Sequence, residues 1–289
     1  MVMRKLILGI GLCLLVCLQL FSQSVVKESL QFRSEKMGKD VRYSIYLPDG
    51  YDVSDRKYPV LYLLHGWTDD ETSWLQMGNM QRITDDAIKQ GIAIPMVIVM
   101  PDAGESWYVN SYDGKVPYED MFFEELIPYI QQTYKVRTDQ QYRAIAGLSM
   151  GGYGAFLYTL HHPDYFTACA PLSAAIYTEE RMKESLHTTR GELFDRIYGK
   201  GNLTEHWYKN SVLHILKDWK EDTPLNVLYY IDCGDDDVLL HGNNEAHELL
   251  QQKGIKHEFR VRDGYHSWTY WRTALPSVLE FISKRFNRS

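Results

Sequence analysis

The stretch RAIAGLSMGGYGAFLYTLHH, Arg143 to His162, decides how the rest of the chain is read. Arg143 to Met150 is a short apolar run that reads as a buried strand, and Gly152 to His162 reads as a helix. Between them Gly147-Leu148-Ser149-Met150-Gly151, followed by Gly152, makes a sharp strand-to-helix turn. Glycines flank the serine because a Cβ there would collide with neighbouring backbone. Such a turn lifts the serine hydroxyl above the C-terminal edge of a sheet, at a helix N-terminus whose N–H groups favour developing negative charge. Gly-x-Ser-x-Gly alone is a weak pattern. Its place between an apolar strand and a helix is what separates it from a chance glycine-rich turn.

Outward from this turn the same rhythm repeats. Residues 24–46 read as β-rich, with VRYSIYLP (Val41 to Pro48) alternating as a strand does. PVLYLLHG (Pro59 to Gly66), MVIVMPDA (Met96 to Ala103), FTACAPLSA (Phe166 to Ala174), NVLYYIDCG (Asn226 to Gly234) and HEFRVRD (His257 to Asp263) read as further strands. Helical stretches lie at 81–90, at Tyr118 to Tyr134, at 243–253 and from about Trp268 onward. Continuous apolar strands alternating with helices predict an α/β fold, with a mostly parallel central sheet and helices on both faces. One stretch breaks the rhythm. Residues 175–222 are polar, charged and aromatic, long for a connection, and are expected as an insertion over the active site. No repeat, low-complexity tract or linker appears, so residues 23–289 are read as one domain.

Residues 1–22 read as a signal peptide. Arg4 and Lys5 precede a nearly unbroken apolar run, Leu6 to Leu20, short for a membrane span, and Ser22 offers a cleavage point. An uncleaved anchor and a lipid at Cys17 are the competing readings, the latter disfavoured by the bulky Val16. The expectation is an exported, periplasmic or secreted protein. Losing residues 1–22 removes two basic residues and no acid, which takes the formal charge from −7 to −9. So acidic a chain is a poor candidate for nucleic acid or an anionic membrane. Cys13 and Cys17 fall in the signal. Cys169 and Cys233 remain, as two buried thiols or one disulfide, with no zinc-like spacing.

A serine hydroxyl needs a base, and the base an orienting acid. Of the ten His, only His266 follows the last expected strand, in DGYHSW before the final helix. The others lie in the insertion, in the helix after the serine, in or beside the following helix–strand unit (His241, His247 and His257) or ahead of the serine, and read as structural or surface residues. The acid should leave the end of the preceding strand. YYIDCGDDDVLL offers Asp232, still within the strand, and Asp235, Asp236 and Asp237 beyond it. Asp237 is preferred because Val238-Leu239-Leu240 can anchor it, with Asp236 second. A calcium loop is disfavoured by the spacing. Two backbone N–H donors should receive a tetrahedral oxyanion: Met150, after the serine, and Trp67, after LLHG.

The landmarks YPVLYLLHG with Trp74 after it, MPDAG...WYVNS, YEDMFFEELIPYI, AGLSMGGYGA, IDCGDDD and GYHSWTYWR run in order over roughly residues 40–285. In this the chain resembles the esterase D-like group of α/β-hydrolases. That group includes feruloyl and acetylxylan esterases (carbohydrate esterase family one), S-formylglutathione hydrolases and secreted mycolyltransferases. The resemblance implies an α/β-hydrolase fold. Its G-x-x-D pattern, laid on Gly234 to Asp237, points to Asp237, and its histidine pattern falls on His266. A serine esterase is implied, with Ser149 as nucleophile and no metal or organic cofactor. Export speaks against S-formylglutathione and suits feruloyl or acetyl esters on plant polysaccharide. Trp107, Tyr108, Trp207, Tyr208 and Trp268 are candidates to stack on a sugar or aryl ring, against plain packing for each. A general short-chain carboxylesterase, an acyltransferase using the same three residues, and a carbohydrate-binding module on this scaffold are the alternatives.

Overall fold

The computed structural model describes residues 23–201, 203–220 and 225–287. The signal-peptide reading of residues 1–22 lies outside them. Eight strands form one sheet: β1 Val25–Ser34, β2 Lys39–Leu47, β3 Val60–Leu64, β4 Val97–Pro101, β5 Arg143–Leu148, β6 Ala168–Leu172, β7 Leu228–Gly234 and β8 His257–Arg262. Their order is β1-β2-β4-β3-β5-β6-β7-β8. β1 and β2 pair antiparallel, β2 pairs antiparallel with β4, and β4 to β8 are parallel. This is the α/β-hydrolase architecture, with one antiparallel hairpin at its edge.

The apolar runs are continuous because helices cover both faces. In β3, Val60, Tyr62 and Leu64 enter the core on one face, while Leu61 and Leu63 enter the core on the other. β5 divides likewise, Ile145 to one side and Ala144 and Ala146 to the other. The helix Met150–His161 lies in the first core and is buried from Met150 to Leu160. That is why its sequence is apolar all round instead of striped. The long helix Trp268–Phe286 closes the second core. Tyr118 to Thr133 is helical as expected, with a π-helical turn at Phe122–Leu126. Cys169 and Cys233 are buried free thiols.

The strand order positions the site. From β3 the chain crosses to β4 on one side, while from β5 it crosses to β6 on the other. The loops leaving β3 and β5 therefore part, and a crevice opens at the C-terminal ends of these two neighbours. Leu64 of β3 pairs with Gly147 of β5, so Gly66-Trp67 and Ser149 face each other across that crevice. Among the described residues no helix is long and apolar enough to cross a membrane.

Candidate active site

Ser149 sits at φ 53°, ψ −116°, a conformation that a non-glycine residue adopts only when its surroundings force it. Its neighbours do so. Its N–H donates to the Leu172 carbonyl (2.9 Å), and its carbonyl accepts from Tyr153 (3.0 Å) and Ala175 (2.9 Å). The flanking glycines permit the close approach. A Cβ on Gly147 would lie 2.4 Å from the Gly151 carbonyl oxygen, and one on Gly151 would lie 2.5 Å from the carbonyl oxygens of Leu64 and His65.

Three side chains meet above the sheet. The Ser149 hydroxyl donates to His266 Nε2 (3.0 Å), and His266 Nδ1–H donates to Asp237 Oδ2 (2.9 Å). Asp237 is buried and also accepts from the Leu239 N–H (2.8 Å). Burial pushes its carboxyl up. The His266 bond and charge, the Leu239 N–H and the Ser173 hydroxyl outweigh that and hold it below its ordinary value. Asp236, the second candidate, is exposed, and its N–H donates to Gly264. Asp232 is buried within β7, where Arg262, Tyr230 and Tyr270 bond to it. Loop lacing places His266: Asp236 N–H donates to the Gly264 carbonyl (3.0 Å), and Gly264 N–H to Asp235 Oδ1 (2.9 Å).

Of the two expected oxyanion donors, Met150 follows the serine and Trp67 follows Gly66 across the crevice. Met150 is the first residue of its helix, so its N–H has no acceptor within the helix. Across the crevice, a Cβ on Gly66 would be 3.6 Å from that of Ser149. His65, expected as a structural or surface residue, is buried and pins this loop. Its Nε2 accepts from the Ala103 N–H (2.8 Å), so Nδ1 carries the proton and donates to the Gly66 carbonyl (2.7 Å). Burial lowers its pKa, consistent with a neutral ring.

Ser149 and His266 open into a cleft of about 350 Å³. Trp107 and Trp268, two of the expected contact residues, line it. Tyr108 and Trp207 do not. Tyr108 is fully buried, donates to the His65 carbonyl (2.9 Å) and covers Gly154. Trp207 is buried in the insertion against Tyr208. Plain packing describes both.

Several cleft residues went unread in the sequence. Trp271 meets the His266 ring edge-on (4.9 Å) and donates to the Ser173 hydroxyl (3.0 Å). Its place five residues after the histidine, on the following helix, was the one available signal. Tyr177, Arg181 and Arg190 come from the insertion and carried no spacing to find them by. A larger cavity, about 570 Å³, runs along Ala103 to Ser106 and holds none of Ser149, Asp237 or His266. Size alone therefore does not locate the chemistry.

A buried carboxylate, an imidazole in one tautomer and a serine on a strained turn can carry out nucleophilic acyl transfer. The chain matches the family model described as "Putative esterase" over residues 34–282 and belongs to that family. It is 30% identical over 266 residues to an endo-1,4-beta-xylanase/feruloyl esterase of Xylanibacter ruminicola, covering 89% of this chain and 31% of that protein. The chain thus spans about a third of the length of that relative. An acetyl esterase of Caldicellulosiruptor saccharolyticus is 25% identical, with 81% of this chain and 86% of that one covered. A solved ferulic acid esterase superposes with a TM-score of 0.79 at 34% identity, over 92% of this chain and 99% of that one.

Proposed function

We propose that this protein is a serine carboxylic-ester hydrolase that works through an acyl-enzyme on Ser149 and releases feruloyl or acetyl groups from plant polysaccharide, with residues 1–22 directing its export. The observation that carries the reading is the hydrogen-bonded chain Ser149–His266–Asp237 at 3.0 and 2.9 Å, opening into an aromatic-walled cleft. Its likeness to a ferulic acid esterase supports the acyl group proposed.

In this reading His266 Nε2 takes the Ser149 proton as Oγ attacks the ester carbonyl carbon. Asp237 holds Nδ1–H and stabilises the imidazolium. The N–H groups of Met150 and Trp67 receive the oxyanion, each such donor being worth roughly 10²–10³ in rate. His266 then protonates the leaving alcohol oxygen. Water deprotonated by the same nitrogen attacks the acyl-Ser149 carbonyl and frees the acid. Trp268, partly exposed, offers flat apolar surface for an aryl or sugar ring, while Trp107, Tyr177 and Trp271 line the cleft as almost wholly buried rings.

The test is hydrolysis of methyl ferulate and p-nitrophenyl acetate by the protein and by Ser149→Ala. Ferulate release, reduced on the order of 10⁴-fold or more in the variant, is expected. Acetate release alone would move the substrate to acetylated sugars or general short-chain esters. Full turnover in Ser149→Ala would overturn the nucleophile.

A further inference from the structure

The insertion lines its side of the Ser149 cleft with hydrogen-bond donors. Arg181 and Arg190 line the cleft from helices Glu179–Leu186 and Gly191–Tyr198, Arg190 standing at the N-cap of the second. Arg190 stacks its guanidinium 4.4 Å over the Trp67 ring and donates to the Tyr177 hydroxyl (3.1 Å). It has no carboxylate partner among the described residues. Arg181 has one contact at 4.0 Å with Glu184, both side chains about half exposed, a pairing of little strength. Trp107, 2% exposed, lines the same cleft, and its Nε1–H has no partner.

The acceptor side is nearly empty. Asp69 is the one acidic residue lining the cleft among the described residues, and its Oδ2 already accepts the Gly66 N–H (3.2 Å). Two guanidinium groups thus border the cleft of a chain whose formal charge is −7. A cationic cleft of this kind raises the local concentration of anions, and a guanidinium binds a carboxylate through two parallel bonds. A neutral hydroxyl or ester oxygen would accept from a guanidinium as a single, weaker bond, without the paired charge-assisted geometry that a carboxylate offers.

From this donor-lined wall we propose that Arg190, with Arg181, selects esters that carry a carboxylate close to the scissile bond, as on a uronic-acid residue or a dicarboxylic acyl group. The inference rests on the esterase reading and adds the substrate class to it. The carboxylate takes the free guanidinium edges, while Trp67 and Tyr177 hold the Arg190 plane in place.

Two matched pairs of substrates test it. The first is p-nitrophenyl hydrogen succinate against p-nitrophenyl butyrate, which puts the carboxylate on the acyl side. The second is an O-acetyl methyl glucuronoside against the O-acetyl methyl glucoside, which puts it on the alcohol side. In at least one pair kcat/KM for the charged member is expected to exceed that of the neutral one about tenfold or more, since charge-assisted bonds are worth about 1.5–3 kcal/mol. The preference should shrink in 0.5 M salt. Arg190→Met, which keeps the stem on Trp67, should bring that ratio down about tenfold, and Arg190→Lys should restore part of it. Arg82→Met removes the same charge from an exposed helix position and should leave the ratio alone.

No preference in either pair overturns the proposal. So does an equal loss for both members in Arg190→Met, because Arg190 would then serve only to hold Trp67. If no ester turns over, the esterase reading fails separately. Calorimetric binding of the same pairs to Ser149→Ala then decides the inference: tighter binding of a charged member supports it, and equal binding sinks it.

Discussion

One wall of the cleft is made by the sheet and the other by the insertion, and they are held in different ways. Ser149, Asp237 and His266 stand on loops that leave β5, β7 and β8. Their backbone positions follow from ladder pairing and from contacts so close that only glycine fits. Tyr177, Arg181 and Arg190 stand on or beside eight-residue helices. Single bonds help to tie the insertion to the body: Tyr153 to the Asn210 carbonyl (2.6 Å), Tyr198 to Tyr153 (3.1 Å), His161 to the Lys209 carbonyl (2.9 Å). The group proposed to react is fixed by backbone pairing and glycine-only contacts, while the group proposed to recognise is held by side-chain packing, with Met182, Phe194, Ile197, Trp207, Leu213 and Leu216 of the insertion buried in the first core. Recognition can change in such an arrangement while the reacting geometry stays.

Three perturbations test that contrast. Asp237→Asn should leave the fold intact and lower kcat by roughly 10²–10⁴, because the amide cannot stabilise the imidazolium and disturbs the tautomer. Steady-state kinetics beside a circular dichroism spectrum checks it, and a loss below tenfold would remove Asp237 from its proposed role. Gly147→Ala should cost about 3 kcal/mol, as its Cβ meets backbone and not a side chain that could rotate away. Denaturant unfolding measures this, and a neutral result would mean the sheet wall is softer than its contacts imply.

The smallest effect belongs to the insertion's tie. Glu119 Oε1 accepts from His161 (2.7 Å) and His162 (2.9 Å). Burial pushes the Glu119 carboxyl up, but these bonds bring it down from 4.5 to about 2. Burial opposes the charge on His161, and the Glu119 bond outweighs it and raises that pKa above 6.5. The depressed carboxyl stabilises above 4.5, and this is lost as pH falls toward 2. The raised imidazole stabilises below 6.5, and this is lost as pH rises through its folded value. Glu119→Gln should therefore cost about 2 kcal/mol, most between pH 4.5 and 6.5 and less on either side. Melting curves across pH read it, and a pH-independent difference would exclude the ionic tie.

How much of this was legible varies by residue. Ser149, Asp237 and His266 could be read because a strained turn and two strand ends demand particular residue types at particular chain positions, and the structure brings all three within hydrogen-bond reach. Trp107 and Trp268 were read as contact residues and do line the cleft, yet Tyr108 and Trp207 carried the same aromatic signal and went into the core. An aromatic ring satisfies core and cleft alike, so residue type cannot separate them. Asp232 and Asp237 are both buried carboxylates five residues apart. Only the neighbours that the fold supplies, Arg262 and two tyrosines for one and His266 for the other, set their different surroundings.

What the sequence determined by itself was what is expressed locally: the strands, the helices and the glycine-flanked serine turn between β5 and its helix. The tertiary structure alone decided which surfaces meet across long stretches of chain. Arg190 over Trp67, His65 joined to the Ala103 N–H and Trp271 against His266 are such meetings. Chain periodicity records which face of an element is buried. The partner that buries it follows from strand order and from the packing of helices far apart in sequence, which no local pattern encodes.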